Sequence, residues 1–312
     1  MGSMPNSSVA IILVNWNGIA FTRACLQSLQ LIDYADYSIF VVDNGSENSE
    51  GIQLKKEFPL IHLIETGKNL GFAGGNNVGI RKALEMGFSH ILLLNNDTEV
   101  EADFLGKMML HFSENPKLGV LEPLICFLHE KDKIWSAGGK WQKLLGRALT
   151  VGDRQYLQNF TANREPLDWA TGCAMLLKRA AIEQAGLMNE QYFVYFEDVE
   201  WSLRIREKGF EIGLVPEARV YHEAGASSKK KHDEGTLSPQ VFYYHARNQF
   251  FLLRSISSNP MVSLVQYAYH LSRFALWMVY FLLRGRFKKL KAVVKGIRDG
   301  LKVKLKPAPT WP

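Results

Sequence analysis

"HILLLNNDTEV", His90 to Val100, is the stretch that decides the fold of this chain. The apolar run from Ile91 to Leu94 is typical of a buried strand, and it stops abruptly at two amides and a carboxylate, Asn95, Asn96 and Asp97. One interpretation is an Asx turn that simply ends the strand. The other is a rigid strand that holds Asp97 up to a divalent cation, which keeps further positions free for substrate phosphates.

Three further apolar runs precede this one, and helical patterns separate them. The runs are "VAIILVNWN" (residues 9–17), "YSIFVVDNGS" (37–46) and "LIHLIET" (60–66), and "GGNNVGIRKALEMG" (74–87) is typical of a helix. Near-continuous apolar strands joined by helices indicate a mostly parallel sheet covered by helices on both faces. The pattern therefore predicts an α/β fold.

Polar residues stand at three of these strand ends. Ligands of parallel sheets bind beyond the carboxyl ends of the strands. We therefore expect one crevice, lined by the strand-end residues Asn15, Asn17, Asp43, Asn44, Asn95, Asn96 and Asp97. For Asp43 the alternatives are a plain turn residue and an acid that accepts hydrogen bonds from a nucleobase or ribose.

The composition excludes several classes of protein. Among 312 residues, 47% are apolar and 22% are charged, which is typical of a globular protein rather than a disordered one. Cys25, Cys126 and Cys173 are far apart and form no CxxC pair, which argues against a disulfide framework or a structural zinc site and suits a reducing cytosol. Residues 1–8 are expected to be a tag or disordered start, since "MGSM" resembles an expression scar and has no apolar signal-peptide region.

The basic character of the chain is confined to its last part. Residues 284–306 hold ten basic side chains and one acid, a net charge of +9, which leaves −3 for the other residues of a chain whose total is +6. The residues outside this segment therefore lack the positive charge that a nucleic-acid-binding surface needs. The apolar segment 261–283 comes just before and contains Gln266, His270 and Arg273, so it is a poor transmembrane span.

Two interpretations of this tail remain open. An apolar helix followed by basic residues is typical of a segment in the interface of an anionic membrane, where each basic residue contributes about 1 kcal/mol. The alternative is a pair of helices packed on the body with a solvated basic face.

The stretch "YFEDVEWSLRIREKG" places Glu197, Asp198 and Glu200 in one helical turn. Acids at a helix start often serve the helix dipole, at about 0.3–1 kcal/mol each. Their mutual repulsion would alternatively raise one pKa and suit that carboxylate to work as a general base. The sequence alone favours neither.

His222 closes the extended segment "EARVYH" and is either a structural residue or, if it meets Asp97 in space, half of a mixed N/O site for Mn²⁺. The three residues Lys229–Lys231 form a solvated loop or a lid over phosphates. The glycine-rich stretch 67–79 precedes a helix and would let backbone approach a diphosphate. It matches neither a dinucleotide-binding fingerprint nor a P-loop.

The order of the motifs resembles the family 2 inverting glycosyltransferases of the GT-A fold, closest to the rhamnosyltransferase-like enzymes of bacterial polysaccharide synthesis. The stretches that carry the resemblance are "VNWNG", "VVDNGS", "NLGFAGGNNVG", "LLLNNDTEV", "WATGCAMLLKR", "YFEDVEWSLRIREKGF", "VYHEAGAS" and "YYHARNQFFL". The resemblance implies a GT-A domain over residues 9–255, with a Rossmann-like nucleotide-binding half and a mostly parallel sheet flanked by helices. It leaves residues 256–312 as a C-terminal helical extension.

The resemblance also implies roles for individual residues. Asn95-Asn96-Asp97 stands where the family has its DxD motif, so Asp97, with His222, would bind a divalent metal, Mn²⁺ or Mg²⁺. Asp198 would be the catalytic base. The donor-binding residues would be Asn15, Asn17, Asp43, Gly71, Asn76, Asn95, Asn96 and Gly172. Acceptor contacts would come from Trp169, Glu197 and Trp201, although Trp201 is equally typical of a core residue.

The implied activity is metal-dependent, inverting transfer of a sugar, with L-rhamnose from dTDP-rhamnose as one candidate. The donor would be a nucleoside-diphosphate sugar and the acceptor a glycan or lipid-linked glycan, at the cytoplasmic face of the inner membrane. A polyprenyl-phosphate hexosyltransferase is the alternative within the family. A nucleotide-sugar pyrophosphorylase would need a glycine- and arginine-rich loop where "NWNGIAFTR" stands, and a non-catalytic sugar-binding protein would not need both Asp97 and Asp198. The oligomeric state stays open.

Overall fold

The structure, a computed structural model, describes residues 7–163, 165–223, 234–256 and 259–311. Lys229–Lys231, for which the sequence suggested a loop or a lid, lie outside the described residues, as do the first six residues of the chain.

The first half of the chain builds four neighbouring parallel strands of a nine-stranded sheet. Its strands are β1 (Val9–Asn15), β2 (Tyr37–Asp43), β3 (His62–Glu65) and β4 (His90–Leu94). The helices between them are α1 (Ile19–Leu29), α2 (Glu50–Glu57) and α3 (Gly71–Glu85). The strands lie in the order β3-β2-β1-β4 and all three pairs are parallel, so the four apolar runs form the predicted strands.

The second half completes the sheet with mixed pairing. It adds β5 (Thr98–Val100), β6 (Leu118–Phe127), β7 (Glu130–Ser136), β10 (Ala174–Lys178) and β11 (Glu211–His222), while β8 (Gly139–Gln142) and β9 (Arg147–Thr150) form a separate hairpin. Helices α4 (Phe104–Glu114), α5 (Arg179–Ala185) and α6 (Glu197–Glu207) cover this half. β10 runs antiparallel to both β4 and β6, and β11 runs parallel to β6.

Alternating residues of β1 explain why its sequence is apolar throughout. Val9, Ile11 and Leu13 pack into a core with α1, α2 and α4. Ala10 and Ile12 face the opposite core, which is shared with α3, α5 and α6. A strand buried on both faces needs an unbroken apolar run, and the α/β class is confirmed.

The motif "WATGCAMLLKR" is extended strand only in its second half. Within residues 169–179 the strand begins at Ala174. The preceding amides leave the ladder, because Ala170 N donates to Ser202 Oγ (3.1 Å) and Thr171 N donates to a carboxylate of Glu122 (2.7 Å). The chain therefore bends at residues 171–173, next to the candidate site.

The C-terminal part consists of three helices, α7 (Pro239–Ser255), α8 (Pro260–Leu283) and α9 (Phe287–Lys302). α9 lies close to α7 because Gly296 and Gly300 have no side chain: a Cβ at either would lie 2.5 or 2.6 Å from a carbonyl oxygen of α7. α8 docks on the turn between β8 and β9, where Gln266 Nε2 donates to Lys143 O (2.7 Å). The chain then returns to the body, where Leu187 N donates to Pro309 O (2.8 Å).

The extension is thus packed on the body, which agrees with one of the two interpretations of the tail. No described helix combines the length and the apolarity that a bilayer crossing needs. The domain boundary at residue 256 stays a prediction.

Candidate active site

Asp198 lies in the first turn of α6, and the bend at residues 171–173 reaches its carboxylate. Gly172 N donates to Asp198 Oδ2 at 3.0 Å, and Val199 N donates to Oδ1 at 2.8 Å. A Cβ on Gly172 would lie 2.8 Å from the Phe72 ring. Glycine is needed here because the backbone passes between Phe72 and Asp198; a close approach of donor sugar to Gly172 stays a prediction.

The same bend also holds the end of β4. Asn95 N donates to Cys173 O at 2.8 Å, so adjacent residues of one turn contact the Asn95–Asp97 segment and Asp198. The carboxylate-bearing segments, distant along the chain, flank a single turn. The sequence could only suppose this convergence, since nothing local connects the two segments.

Asp97 and His222 meet because β5 and β11 pair, with Thr98 opposite His222. Asp97 Oδ1 lies 3.2 Å from His222 Nε2, and both side chains are nearly buried. Within the described part of the chain, Asp97 Oδ1 and His222 Nδ1 make no hydrogen bond although both atoms are buried. Buried polar atoms without a partner are uncommon in proteins.

These two side chains fit a divalent cation as a carboxylate oxygen and an imidazole nitrogen, a donor set suited to Mn²⁺ and related metals. Among the described residues no group of three or more His, Cys, Asp or Glu side chains could hold a metal ion. A cation at Asp97 and His222 would take its remaining ligands from water and phosphate oxygens.

Glu122 is a site residue that sequence reasoning missed. Its carboxylate is fully buried in β6 and accepts from Ser136 Oγ (2.7 Å), Gly138 N (2.9 Å) and Thr171 N (2.7 Å). Burial raises the pKa of Glu122 to about 8. Glu122 thereby fixes the turn whose next amide binds Asp198. The only local signal is one acid inside the apolar run "GVLEPLICF".

The segment before Asp198 has an unusual backbone. Phe193, Tyr195 and Phe196 have φ angles of 67°, 70° and 70°, a left-handed region that costs about 1–3 kcal/mol for residues other than glycine. The buried Asn248 of α7 holds them: its Nδ2 donates to the carbonyls of Tyr192 (2.9 Å), Val194 (2.7 Å) and Tyr195 (2.8 Å). α7 thus fixes the strained loop that leads directly into α6.

Arg247 reinforces this contact. Its Nη2 donates to Gln191 O (2.8 Å) and Tyr192 O (2.7 Å). The stretch "YYHARNQFFL" contributed to the resemblance, but its Arg-Asn pair was given no role from sequence.

The acids of the first α6 turn have separated environments. Burial raises the pKa of Asp198, and hydrogen bonds from backbone amides oppose this rise. The pKa of Glu197 is raised well above its ordinary value, first by burial and then by the charge of Asp198. Glu200 instead pairs with Arg204 at 2.9 Å. Burial is the larger cause of both pKa shifts, and the mutual repulsion that the sequence offered as one of two alternatives is the second cause for Glu197.

The first two strand ends hold their own loops together. Asp43 accepts from Ser46 N (2.7 Å) and Gly51 N (2.6 Å). Asn15 Nδ2 donates to Glu50 Oε2 at 2.9 Å, and Asn17 Oδ1 accepts from Glu47 N at 2.8 Å. Asn15, Asn17 and Asp43 thus shape one rim of the sheet, and their contacts to a nucleotide stay predictions.

The glycine-rich start of α3 makes contacts within the protein. Gly71 has a φ of 75°, and the next amide, Phe72 N, donates to Phe193 O at 2.6 Å. Asn76 Nδ2 donates to Phe72 O (3.0 Å). Phe193 O thus accepts from the first amides of α3, those of Phe72 and Ala73. The expected approach of a diphosphate to these amides is therefore not supported. Donor binding by Gly71 and Asn76 stays a prediction.

Two of the predicted acceptor residues are core residues in this structure. Trp201 is fully buried and its Nε1 donates to Gly186 O (2.8 Å), so the core alternative describes its position and a stacking role is not supported. Trp169 is 7% exposed and lies directly over Gly139, which leaves little ring surface for a sugar.

Of the two predicted donor-binding residues at the end of β4, Asn96 is held by the protein, because its Nδ2 donates to Thr22 Oγ1 (2.8 Å). Asn95 is half-buried. Their contacts to a donor stay predictions.

Residues 10–184, more than half of the chain, match the family described as Glycosyl transferase family 2. The chain belongs to this family. It is a glycosyltransferase, and the resemblance to the rhamnosyltransferase-like branch is confirmed.

Three curated relatives cover most of this glycosyltransferase. The low-salt glycan biosynthesis hexosyltransferase Agl10 of Haloferax volcanii is 30% identical over 242 residues, 77% of this chain and 75% of the relative. The dTDP-rhamnosyl transferase RfbF of Shigella flexneri is 25% identical, over 80% of this chain and 81% of the relative. The N-acetylglucosaminyl-diphospho-decaprenol L-rhamnosyltransferase of Mycobacterium tuberculosis is 25% identical, over 70% and 76%.

Solved structures share the fold at low identity. S. aureus TarS 1-349 in complex with UDP-GlcNAc has a TM-score of 0.62 at 13% identity and covers 95% of this chain and 81% of its own. The mannosyltransferase PcManGT from Pyrobaculum calidifontis, in complex with GDP-Man and Mn²⁺, has a TM-score of 0.54 at 13% identity and covers 97% and 92%. These neighbours support the GT-A fold.

Proposed function

We propose that this glycosyltransferase moves a sugar from a nucleoside-diphosphate donor to a glycan or lipid-linked glycan acceptor, with inversion and with Asp198 as the base. The observation that carries the proposal is the turn at residues 171–173, which binds Asp198 through Gly172 N and the Asn95–Asp97 segment through Cys173 O. In this proposal the substrates bind between these two groups, with the base on one side and the diphosphate on the other.

The chemistry follows from these positions. Asp198 accepts the proton of the acceptor hydroxyl, whose oxygen attacks the anomeric carbon from the side opposite the nucleoside diphosphate. The new carbon–oxygen bond forms as the bond to the diphosphate oxygen breaks, so one displacement inverts the carbon. Asp97 and His222 would hold Mn²⁺ or Mg²⁺, which when bound offsets the charge of the leaving group.

L-rhamnose, carried on dTDP, is the donor sugar that the relatives favour. The name of the Shigella relative specifies dTDP-rhamnosyl transfer, and that of the mycobacterial relative specifies L-rhamnose and a diphospho-decaprenol acceptor. A lipid-linked acceptor and synthesis of a cell-surface polysaccharide are the matching proposals for this chain.

We also propose peripheral contact with the cytoplasmic face of the membrane through α8 and α9. α8 exposes an apolar row along its whole length: Met261, Leu264, Leu271, Leu276, Val279 and Leu283. α9 exposes basic residues at helical spacing: Lys291, Lys295, Arg298 and Lys302. Exposed apolar and basic rows of this kind are typical of an interfacial segment.

A donor-hydrolysis screen tests the proposed function. Purified protein is incubated with dTDP-rhamnose and a panel of UDP- and GDP-sugars, each with Mn²⁺, with Mg²⁺ and with EDTA. We expect hydrolysis of one donor in the presence of a divalent cation and faster turnover when a polyprenyl-diphosphate sugar is added. Absence of hydrolysis and of transfer with every donor would contradict the proposal, and transfer to polyprenyl phosphate itself would identify the alternative hexosyltransferase.

A further inference from the structure

A cavity of about 380 Å³ lies between α7, α8 and the β8–β9 hairpin. Phe196 lines it and directly precedes Glu197 and Asp198 in the chain. Phe242 and Trp277 supply further aromatic walls. Any group bound in this cavity therefore lies next to the start of the helix that carries the proposed base.

Two guanidinium groups, those of Arg147 and Arg273, face this cavity. In the described ranges neither has a carboxylate within ion-pair distance, and Arg273 Nε is buried without a hydrogen-bond partner. The guanidinium of Arg273 lies over the rings of Phe274 (4.9 Å) and Trp277 (5.6 Å) instead. Burial lowers the pKa of Arg273; the charge of Tyr269 opposes this shift and the charge of Arg147 adds to it.

Arg147 is exposed at the cavity mouth, whereas Arg273 is partly buried and, among the described residues, has no anion beside it. A buried charge without a counter-charge is destabilising, so an anion bound between the two groups would stabilise Arg273. His245, also in the lining, stacks on Tyr195 at 4.5 Å and does not compensate the cations. Arginine binds phosphate oxygens in a bidentate fashion. The cavity therefore has the chemistry of a phosphate site with aromatic walls.

We propose that this cavity binds the diphosphate of a lipid-linked acceptor, held by Arg147 and Arg273. The proposal rests on the proposed function, because it places the acceptor lipid linkage beside Asp198. Leu276 of the exposed apolar row of α8 is adjacent in sequence to Trp277 of the cavity lining, and Tyr280 is also exposed, so a prenyl chain would find an apolar surface there.

Calorimetry with farnesyl diphosphate tests the site without any donor. EDTA is present throughout, so that a cation at Asp97 and His222 cannot recruit the probe. We expect the wild type to bind farnesyl diphosphate at least tenfold more tightly than farnesol or inorganic pyrophosphate. Arg147→Gln and Arg273→Gln should each weaken binding of farnesyl diphosphate at least tenfold and leave farnesol unchanged, while Arg273→Lys should recover part of the loss.

The control is Arg284→Gln, which removes an exposed cation outside the cavity and should leave farnesyl diphosphate binding unchanged. Arg273→Gln removes a partly buried cation that has no carboxylate partner in the described part of the chain, and Arg147→Gln removes an exposed one, so neither variant should have a lower Tm than the wild type. A lower Tm would therefore reveal a folding defect. Flotation on phosphatidylglycerol vesicles tests whether the cavity binds a bilayer headgroup instead of the acceptor diphosphate. If it binds the acceptor diphosphate, Arg147→Gln and Arg273→Gln should float like the wild type.

The proposal would be overturned if the wild type and both cavity variants bound farnesyl diphosphate equally well. It would also be overturned if the wild type bound inorganic pyrophosphate as tightly as farnesyl diphosphate. If the cavity variants lost only vesicle flotation, the cavity would bind a bilayer headgroup instead. Donor hydrolysis is measured in parallel. A protein that hydrolyses donor but shows no arginine-dependent binding refutes this site alone, whereas failure of hydrolysis refutes the proposed function.

Discussion

Gly172 N lies 3.0 Å from Asp198 Oδ2, and this hydrogen bond joins the turn at residues 171–173 to the proposed base. The neighbouring carbonyl, Cys173 O, accepts from Asn95 N at 2.8 Å. The position of the Asn95–Asp97 segment relative to Asp198 therefore depends on the backbone of residues 171–173.

Gly172→Ala should lower transfer at least tenfold. The new methyl would lie 2.8 Å from the Phe72 ring, so the turn must shift away from Asp198. Gly106→Ala, in α4, is the matched control, because the nearest atom to its new methyl is Asp33 Oδ1 at 3.8 Å. This variant should keep its activity and should be more stable than the wild type by about 0.5–1 kcal/mol. Steady-state kinetics with urea unfolding of both variants decides the matter; full activity in Gly172→Ala would contradict this role of the turn.

Asn248→Ala should lower kcat more than it changes the KM for donor. Three carbonyls of the strained loop lose their donor, which should also cost about 2–4 kcal/mol of stability. Asn115→Ala, which removes one half-buried amide far from the loop, should change both much less. If Asn248→Ala lost stability but kept kcat at a temperature where it is folded, the loop would have no part in positioning Asp198.

Glu122 should make the stability of the protein fall as pH rises. Its folded pKa, about 8, is above that of an unfolded glutamate, about 4.3, so the folded state holds the extra proton between these values. The free energy of unfolding should therefore decrease from about pH 5 to pH 8, by up to ~1.4 kcal/mol per pH unit from this group.

Glu122→Gln is the comparison for that titration. The variant should be less stable at pH 5–6, because an NH₂ group now faces backbone donors, and its stability should fall less steeply with pH. Urea unfolding at half-unit pH steps measures both slopes, and parallel slopes would show that Glu122 does not titrate in this range.

Asp97→Asn and His222→Ala should each remove most of the effect of Mn²⁺ on donor binding. Asp97 and His222 are the two proposed protein ligands, so the loss of either would leave one. His129→Ala, which removes an exposed histidine beside Glu223, should bind donor and metal normally. Calorimetry with and without Mn²⁺ measures the difference, and undiminished metal dependence in both site variants would place the cation elsewhere.

The sequence predicted those parts of the molecule that depend on neighbours along the chain. Strands buried on both faces leave unbroken apolar runs, and the charged ends of β4 and α6 drew attention to Asp97 and Asp198. Glu122 was missed because its partners Ser136 and Thr171 lie 14 and 49 residues away. Asn248 was missed for the same reason, since Tyr195 is 53 residues distant.

Trp201 illustrates an alternative that the sequence left open. The family resemblance implied an acceptor contact and the residue type was equally typical of the core; its ring is in the core and its indole N–H donates to Gly186 O. Whether one face of a helix is buried depends on the elements that pack against it. The few residues around Trp201 do not specify those elements.

Single-turnover transfer by Asp198→Asn, measured beside calorimetric donor binding, tests the central claim most directly. The amide keeps the shape of the side chain and can still accept from Gly172 N, but it cannot take a proton. We predict donor binding within about threefold of wild type and a fall in transfer of at least a hundredfold, in the range that removal of a general base produces. Transfer at the wild-type rate by this variant would contradict the account.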